Sequence, residues 1–262
     1  MNDRVVPVFL SQRFRMSNIN DDFFDGHYKD IWKTLIPAEL TVKEVDFMVP
    51  HFNLQPGSRV LDLMCGYGRH TLALARKGIG VLAVDNLPDY IDEIKTIAGA
   101  ENLPVETACS GVIQFQSGEL FDLALCMGNS LNFFNAADTQ SLLANIAGQL
   151  KSGGHLLINS WSIAEISFSK PFTSSWSQYG EYTFLSRGQM LFQPTRIEVE
   201  TITIDAAGNR EVKEGVDYIY SLNEMEAMLK VAGLQLKEVY SIPGRKKFTQ
   251  GEPRAYLVAQ KP

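Results

Sequence analysis

Two observations predict a doubly wound α/β fold. From residue 59 to residue 160 short apolar runs alternate with helix-length amphipathic stretches. That pattern implies parallel strands joined by crossover helices. The first apolar run also ends in a tight glycine turn, Cys65-Gly66-Tyr67-Gly68, which opens straight into a helix-like stretch, the arrangement of a first strand–helix unit in such a fold.

Residues 1–19 are mixed and read as loose or draped. Asp21 to Leu35 carries Phe23, Phe24, Tyr28, Ile31, Trp32 and Leu35 at near-helical spacing, with Asn20 or Asp21 available as a cap. Thr41 to Phe52 continues as helix, and Pro56-Gly57 breaks the chain before the first strand. The core then reads strand 59–64, helix 69–77, strand 80–84, helix 88–98, strand 104–108, a short helix 111–115, strand 121–126, helix 138–150 and strand 154–160. Lys151-Ser152-Gly153-Gly154 reads as a helix C-cap and turn. Beyond 161 the pattern changes. Residues 165–190 are rich in serine and aromatics (Phe168, Phe172, Trp176, Tyr179, Tyr182, Phe184). Residues 195–204 alternate, Ala207-Gly208-Asn209 turns, and 210–220 runs back, an antiparallel hairpin. Ser221 with Glu224 forms a capping box for a helix that Gly233 ends. Leu234–Ile242 and Ala255–Gln260 are closing strands. The organisation expected is an N-terminal helical cap (1–55), a core (56–161), a β-rich lid or substrate insertion (162–220) and a C-terminal completion of the core sheet (221–262).

With 262 residues, 45% apolar and 21% charged, the composition is that of an ordinary globular chain. The formal net charge of −6 and the lack of a basic run speak against a nucleic-acid partner. No apolar run approaches the roughly 20 residues that span a bilayer, and no signal-peptide core follows the first methionine, so a cytoplasmic protein with no membrane partner is expected. Cys65, Cys109 and Cys126 have no metal-ligand spacing and read as reduced packing residues; no metal is expected.

The chemistry concentrates in residues 60–70, Val-Leu-Asp-Leu-Met-Cys-Gly-Tyr-Gly-Arg-His. Glycines in the turn let backbone N–H groups approach a ligand that a Cβ would block. A second strand ends in Asp85, 19 residues past Gly66, the position from which an acid bonds both hydroxyls of a ribose. The frame Gly66-Tyr67-Gly68-Arg69-His70-Thr71 lacks the third glycine of a dinucleotide fingerprint. Asp62 sits four residues before Gly66. A pyrophosphate is repelled by a nearby carboxylate, whereas a cationic ligand tolerates one.

At these residues the sequence resembles the class I S-adenosylmethionine (SAM)-dependent methyltransferases, whose first motif reads hydrophobic-Asp-hydrophobic-x-Cys-Gly-x-Gly. The resemblance follows element order over roughly residues 20–262 and is motif-specific at 60–70, 81–86 and 121–134. It implies a mostly parallel seven-stranded sheet whose last strand is antiparallel, and SAM as cofactor with S-adenosylhomocysteine as product. Gly66 and Gly68 would then pass beneath the methionine part of SAM, Asp62 would reach its ammonium, and Asp85, with Asn86 beside it, would take the ribose. Met64, Cys65 and Met127 complete this set, and Arg69 is a candidate for the cofactor carboxylate, with a solvated helix start as its alternative role. Many members carry an acid after the third strand for the adenine amino group. Here the segment is Ala108-Cys109-Ser110-Gly111-Val112, so Ser110, Gly111 and Val112 are the adenine candidates. Tyr28 stands where related enzymes contribute a tyrosine from an N-terminal helix.

The loop Met127-Gly128-Asn129-Ser130-Leu131-Asn132 follows the fourth strand, at the sheet edge where ligands bind. It lacks the Asn/Asp-Pro-Pro-Tyr/Phe motif frequent in DNA and protein amino-group methyltransferases and resembles the small-molecule members. Asn129, Ser130 and Asn132 are substrate or cofactor candidates, with loop-stabilising hydrogen bonds as their alternative role. Trp176 and Tyr179 from the aromatic run are candidates for a substrate lid, against a small secondary core. His70 and Tyr28 are candidate proton acceptors; a helix-start histidine and a core tyrosine are their bland readings. The function expected is methyl transfer from SAM to a small-molecule acceptor through N or O. The rival readings are a nicotinamide-dependent oxidoreductase and a non-catalytic SAM-binding protein.

Overall fold

A computed structural model describes residues 18–169 and 174–262; Phe172 and nearly all of segment 1–19 lie outside the described residues. The chain enters through α1 (Gly26–Leu35) and α2 (Ala38–His51). It then alternates β1 (Arg59–Leu63), α3 (Arg69–Ala75), β2 (Gly80–Asp85), α4 (Pro88–Glu101), β3 (Val105–Cys109) and β4 (Phe121–Cys126). A 3-10 turn at Ser130–Phe133 leads to α5 (Ala136–Gln149) and β5 (Leu150–Ser160). After the short α6 (Ala164–Ser167) come β6 (Ser175–Tyr179), β7 (Tyr182–Phe192), β8 (Thr195–Ile204) and β9 (Arg210–Tyr218). The chain closes with α7 (Leu222–Val231), β10 (Gln235–Ile242), β11 (Lys246–Lys247) and β12 (Ala255–Gln260).

The main sheet has the order β11-β10-β12-β5-β4-β1-β2-β3. Strands β1 to β5 pair in parallel, while β12 runs antiparallel to both β5 and β10. The expected seven strands with an antiparallel last one are therefore present, and the two-residue β11 adds an eighth at the edge. Alternate side chains of the central strands feed opposite layers. Leu61, Leu63, Ala124 and Ile158 pack with α5 and α7, and Val60, Val81, Leu125 and Leu157 pack with α2 and α3. Burial on both faces is why these strands read as continuous apolar runs. The chain order reverses at β1, whose two neighbours are β2 and β4. Ligands bind outside the carboxyl ends of the strands at such a switch point.

Four local expectations are corrected. Residues 111–115 form no helix, because Asn145 Nδ2 on α5 takes the carbonyls of Val112, Ile113 and Phe115 (3.4, 3.2 and 2.6 Å) that a helix would need. Lys151–Gly154 belongs to β5 rather than to a helix cap. Gly153 N–H donates to Lys261 O and Lys261 N–H donates to Gly154 O, each at 2.9 Å. Helix α1 starts at Gly26, and Asn20 is no cap. Its side chain instead behaves like a strand backbone, donating to Val216 O (2.9 Å) and accepting from Val216 N–H (2.8 Å). The hairpin beyond 161 is half of a four-stranded antiparallel sheet, β6-β7-β8-β9. Its first turn is the two-residue step between Tyr179 and Tyr182, where Gly180 has φ +55°. The capping box of Ser221 and Glu224 forms as expected.

The glycine turn divides its labour. Gly66 has φ +55°, and a Cβ built on it would meet nothing within 4 Å, so its freed space opens on the cavity described below. Gly68 has φ +77°, and a Cβ there would lie 2.5 Å from Ile94 Cγ1 of α4. Gly68 thus lets α3 start against α4. Gly68→Ala is expected to destabilise the fold by about 2–3 kcal/mol, from strained backbone plus overpacking. Ile94→Ala in the same chain should recover the clash and not the backbone part. Urea denaturation of the single and double variants measures both, and additive effects would refute the contact.

Candidate functional site

At the switch point lies a cavity of about 100 Å³. Its floor is the end of β1 and the glycine turn, with Asp62, Met64, Cys65, Gly66, Tyr67, Arg69 and His70. One wall is the end of β2 and the start of α4, with Asp85, Asn86, Leu87 and Tyr90. The facing wall comes from the β4 loop, with Met127, Gly128, Ser130, Phe133 and Phe134. The N-terminal segment roofs it with Asn18, Asn20, Asp21, Phe24 and Trp32. Met64 and Asn129, at the ends of β1 and β4, hold left-handed backbone at φ +55° and +68°, a strain that concentrates where a site over-determines its loops.

Asp85 closes the turn. Its Oδ2 accepts Gly66 N–H at 2.8 Å and its Oδ1 accepts Leu87 N–H at 3.0 Å. Each oxygen keeps a second lone-pair direction for a ligand hydroxyl. Burial raises its pKa, and the two N–H bonds work against that. Asp62 is raised for the same first reason, partly offset by His70, Arg69 and the 2.6 Å bond from Thr71 Oγ1. Burial also pushes the Cys65 thiol well up, and the charges of Asp62 and Asp85 add to this, so Cys65 is no nucleophile here.

The cation that might have neutralised these acids is committed elsewhere. Arg69 Nη1 reaches Glu44 Oε2 at 2.5 Å and Thr41 Oγ1 at 3.0 Å. His70 Nε2 shares Glu44 Oε2 at 2.8 Å, and Tyr256 Oη donates to Glu44 Oε1 at 2.7 Å. Burial lifts the Glu44 carboxyl, but the bonds and charges of His70 and Arg69 outweigh it and hold the group at about 2. His70, expected as a proton acceptor, is therefore tied into a buried cluster and only 4% exposed. Glu44 escaped the sequence reading. Its signal was an acid inside a buried helical stripe, Thr41, Glu44, Val45 and Met48.

Of the other candidates, only Ser130 and Asn86 stand in the cavity wall. Asn129 Oδ1 accepts from Trp161 N–H, Ser162 N–H and Ser160 Oγ, and its Nδ2 donates to Ser162 Oγ. Asn132 Nδ2 donates to Tyr218 O (2.7 Å) and Ser162 O, and its Oδ1 accepts from Ser160 Oγ. Both amides bind the β4 loop to the chain leaving β5, the loop-stabilising role that the sequence offered as the alternative to ligand binding. Ser130 is in the wall, but its Oγ donates to Met127 O at 2.7 Å. Asn86 lies in the wall with its Nδ2 on Asp21 O at 2.9 Å. Ser110 is half-buried, Gly111 is exposed and Val112 is buried under α5, and none of the three lines this cavity. Tyr28 stands behind the wall, stacked on Trp32 with centroids 6.4 Å apart. Tyr179 packs on Phe184, while Trp176 is 72% exposed and is not among the residues that line this cavity. Trp32, Phe24 and Phe133 line the cavity and were not singled out, because helical aromatics carry no mark that separates wall from core.

Three acids and one committed arginine give the cavity an excess of negative charge. It suits a ligand bearing cationic groups and a ribose, and it does not suit a pyrophosphate. The space above Gly66, the paired oxygens of Asp85 and the buried Asp62 fit SAM on these grounds. A family model described as a methyltransferase domain matches residues 60–154, the segment that carries all of these features. Residues 60–154 are a methyltransferase domain.

The chain is 29% identical over 101 residues to a 23S rRNA (uracil(1939)-C(5))-methyltransferase of Shewanella sp. (strain MR-4), covering 38% of this chain and 21% of that protein. It spans less than half the length of the first curated relatives it matches. Among solved structures it superposes on a SAM-dependent methyltransferase from Clostridium acetobutylicum with TM-score 0.76 at 20% identity, covering 89% of this chain and 95% of that one. It also superposes on the SAM-bound amino pentose methyltransferase CalS10 from Micromonospora echinaspora with TM-score 0.69 at 19% identity, over 91% and 98% of the two chains. At these identities the likenesses establish the fold. Among the described residues no helix is long and apolar enough to cross a membrane.

The Glu44 cluster yields a prediction with a definite sign. A depressed carboxylate contributes stability that is whole above its ordinary value of 4.5 and is lost as pH falls through about 2. Glu44→Gln, which strands Arg69, is expected to cost roughly 3 kcal/mol near neutral pH. The gap between wild type and variant should shrink as pH drops from 4.5 towards 2. Urea unfolding across that range measures it, and a constant gap would contradict the ion cluster.

Proposed function

We propose that this chain transfers the methyl group of SAM to nitrogen or oxygen of a small-molecule acceptor. The observation that carries the proposal is the double enclosure of the cavity. Its floor and sides are the crevice at the switch point of the sheet, and the N-terminal segment covers it with Phe24 and Trp32 beside Asn18, Asn20 and Asp21, with Tyr28 behind them packed on Phe184 of the inserted sheet. A roof of this kind leaves space for a compact acceptor rather than for a polymer. The net charge of −6 and the acidic lining support the same reading against nucleic acid, although an rRNA methyltransferase is among the relatives in sequence. That an amino pentose methyltransferase shares the fold at 0.69 also supports a small acceptor. The division into cap (1–55), core (56–161), insertion (162–220) and closing segment (221–262) belongs to this proposal, as does a cytoplasmic location, which the free thiols of Cys65, Cys109 and Cys126 favour.

Bound SAM supplies a methyl group on a sulfonium that leaves as a neutral thioether, so no side chain need protonate the leaving group. The chain's residues then act by binding and alignment, from which effective molarity contributes roughly 7–11 kcal/mol. In this proposal Asp85 holds the ribose hydroxyls, and Asp62 compensates the ammonium. Gly66 gives the methionine part its clearance, while Met64, Cys65, Tyr67 and Met127 wall the cofactor. Phe24, Trp32 and Phe133 exclude water over the reacting centre. With His70 bound to Glu44, a proton shed by the acceptor passes to water or to a group on the roof.

Calorimetric titration with S-adenosylhomocysteine and, separately, with NAD tests the proposal. Micromolar binding of the first and none of the second is expected. NAD binding alone would restore the oxidoreductase reading, and tight S-adenosylhomocysteine binding without turnover on any amine or alcohol panel would favour a non-catalytic SAM-binding protein. Asp85→Asn keeps one acceptor oxygen and removes the charge; S-adenosylhomocysteine should then bind more weakly by about 2 kcal/mol. Undiminished affinity in the folded variant would take Asp85 out of the site.

A further inference from the structure

The roof of the cavity holds one polar side chain without a side-chain partner among the described residues. Asn18 and Asn20 both donate through Nδ2 to Phe133 O, at 2.8 and 3.2 Å. The rest of the Asn20 amide goes to Val216, and Asn18 Oδ1 accepts Asn20 N–H at 2.9 Å. Asp21, which lines the cavity beside them, is different. Its N–H donates to Asn18 O and its carbonyl accepts from Asn86 Nδ2, each at 2.9 Å, so its main chain is engaged at both ends. The carboxylate is the group it brings to the lining, and no cation pairs with it among the described residues. Burial lifts this carboxyl, the Asn18 backbone works against that, and the Asp22 charge adds to it.

The bond from Asn86 fixes where Asp21 stands. Asn86 directly follows Asp85, the last residue of β2 and the acid placed to hold a ribose. Asp62 and the glycine turn, which would receive the methionine part, belong to β1 and the chain leaving it. A ligand laid from β1 across to β2 presents its nucleobase next, past Asp85, beside Asn86 and beneath Asp21. Leu87 and Tyr90 continue the wall there, and Tyr90 Oη holds the roof down through Phe24 O at 3.0 Å. Ser110, Gly111 and Val112, the sequence candidates for the adenine, do not line this cavity, and their segment carries no acid. A nucleobase in the cavity therefore meets its available carboxylate on the roof and not after β3.

We infer that Asp21 accepts a hydrogen bond from the exocyclic amino group of the cofactor's adenine and so sets the choice of nucleobase. An amino group donates and suits a carboxylate, whereas a ring carbonyl in its place sets oxygen against oxygen. The bond to adenine is charge-assisted, and a base without the amino group leaves the half-buried carboxylate unpaired, which is the costly case. The same segment that roofs the cavity thereby reads the nucleobase. The inference rests on the SAM reading proposed above and adds to it the residue that selects the base.

The full chain is titrated calorimetrically with S-adenosylhomocysteine and with S-inosylhomocysteine, which carries a carbonyl oxygen in place of the amino group. The wild type is expected to bind the adenine compound about tenfold more tightly or better, the scale of a charge-assisted hydrogen bond. Asp21→Asn offers an amide that donates to the carbonyl, so the preference should vanish or reverse. Asp21→Ala, which offers nothing, should reduce it to about threefold or less. Urea midpoints confirm that both variants keep the fold, and a loss of packing alone would weaken the two compounds alike. Equal binding of the two by the wild type overturns the inference and leaves the cofactor reading standing. A preference that persists undiminished in the variants overturns it as well. Binding of neither compound by the wild type sinks the cofactor reading and the inference with it.

Discussion

A carboxylate taken out of water must find a partner, and this constraint arranges the chain around its cavity. Glu44, Asp62 and Asp85 are buried to within a few per cent. Each could be accommodated only by groups brought from elsewhere in the sequence. Glu44 draws Arg69 and His70 from α3 and Tyr256 from β12. Asp62 takes the hydroxyl of Thr71, and Asp85 takes the N–H groups of Gly66 and Leu87. The consequence is a division of charge. The available cation of the glycine turn neutralises Glu44 below the floor, and the acids of the floor itself are left with dipoles alone. A site so arranged holds its affinity in reserve for a positively charged ligand.

That division explains how the turn can serve both fold and site. Asp85 stitches the end of β2 to the turn through Gly66, and Gly68 admits Ile94, so α3 and α4 are fixed relative to the strand that carries Asp62. Binding geometry is then set by main-chain bonds of the sheet and not by mobile side chains. The wall after β4 is held by the same economy. Asn129 and Asn132 spend their amides on Ser160, Ser162, Trp161 and Tyr218, which clamps the loop to the strand ends beside it.

The parallel core and its glycine turn were legible because their signals are local: a period, a turn and an acid one strand later. What escaped the reading depends on pairing at long range. Asn20 works by imitating a strand toward Val216, and residues 111–115 are uncoiled by Asn145, an α5 residue about thirty positions further on. Polar residues of the 127–132 loop looked like ligands because nothing in a sequence says which way an amide turns. Glu44 was invisible for the opposite reason. A single acid in a helix has the appearance of a solvated one until its neighbours are known. The aromatic run after 161 carried its strand signal in the Tyr179–Tyr182 step, which serine and glycine content obscured.

Trp32 ties these levels together. It belongs to α1, whose attachment to the core runs through Lys33 on Glu93, through Tyr90 Oη on the carbonyl of Phe24, and through the buried amide of Asn20 on β9. The first of these is a surface ion pair of small worth; the last is a set of buried hydrogen bonds that are costly to leave unmade. The ring of Trp32 approaches Gly128 on the cavity side and Tyr28 and Trp161 on the other. Trp32 meets Tyr28, and Tyr28 packs on Phe184 of the inserted sheet, so the cavity wall, α1 and that sheet are parts of a single packed unit. A change in the seat of α1 moves the cavity wall, which is the physical basis on which an inserted sheet far from the glycine turn bears on the site.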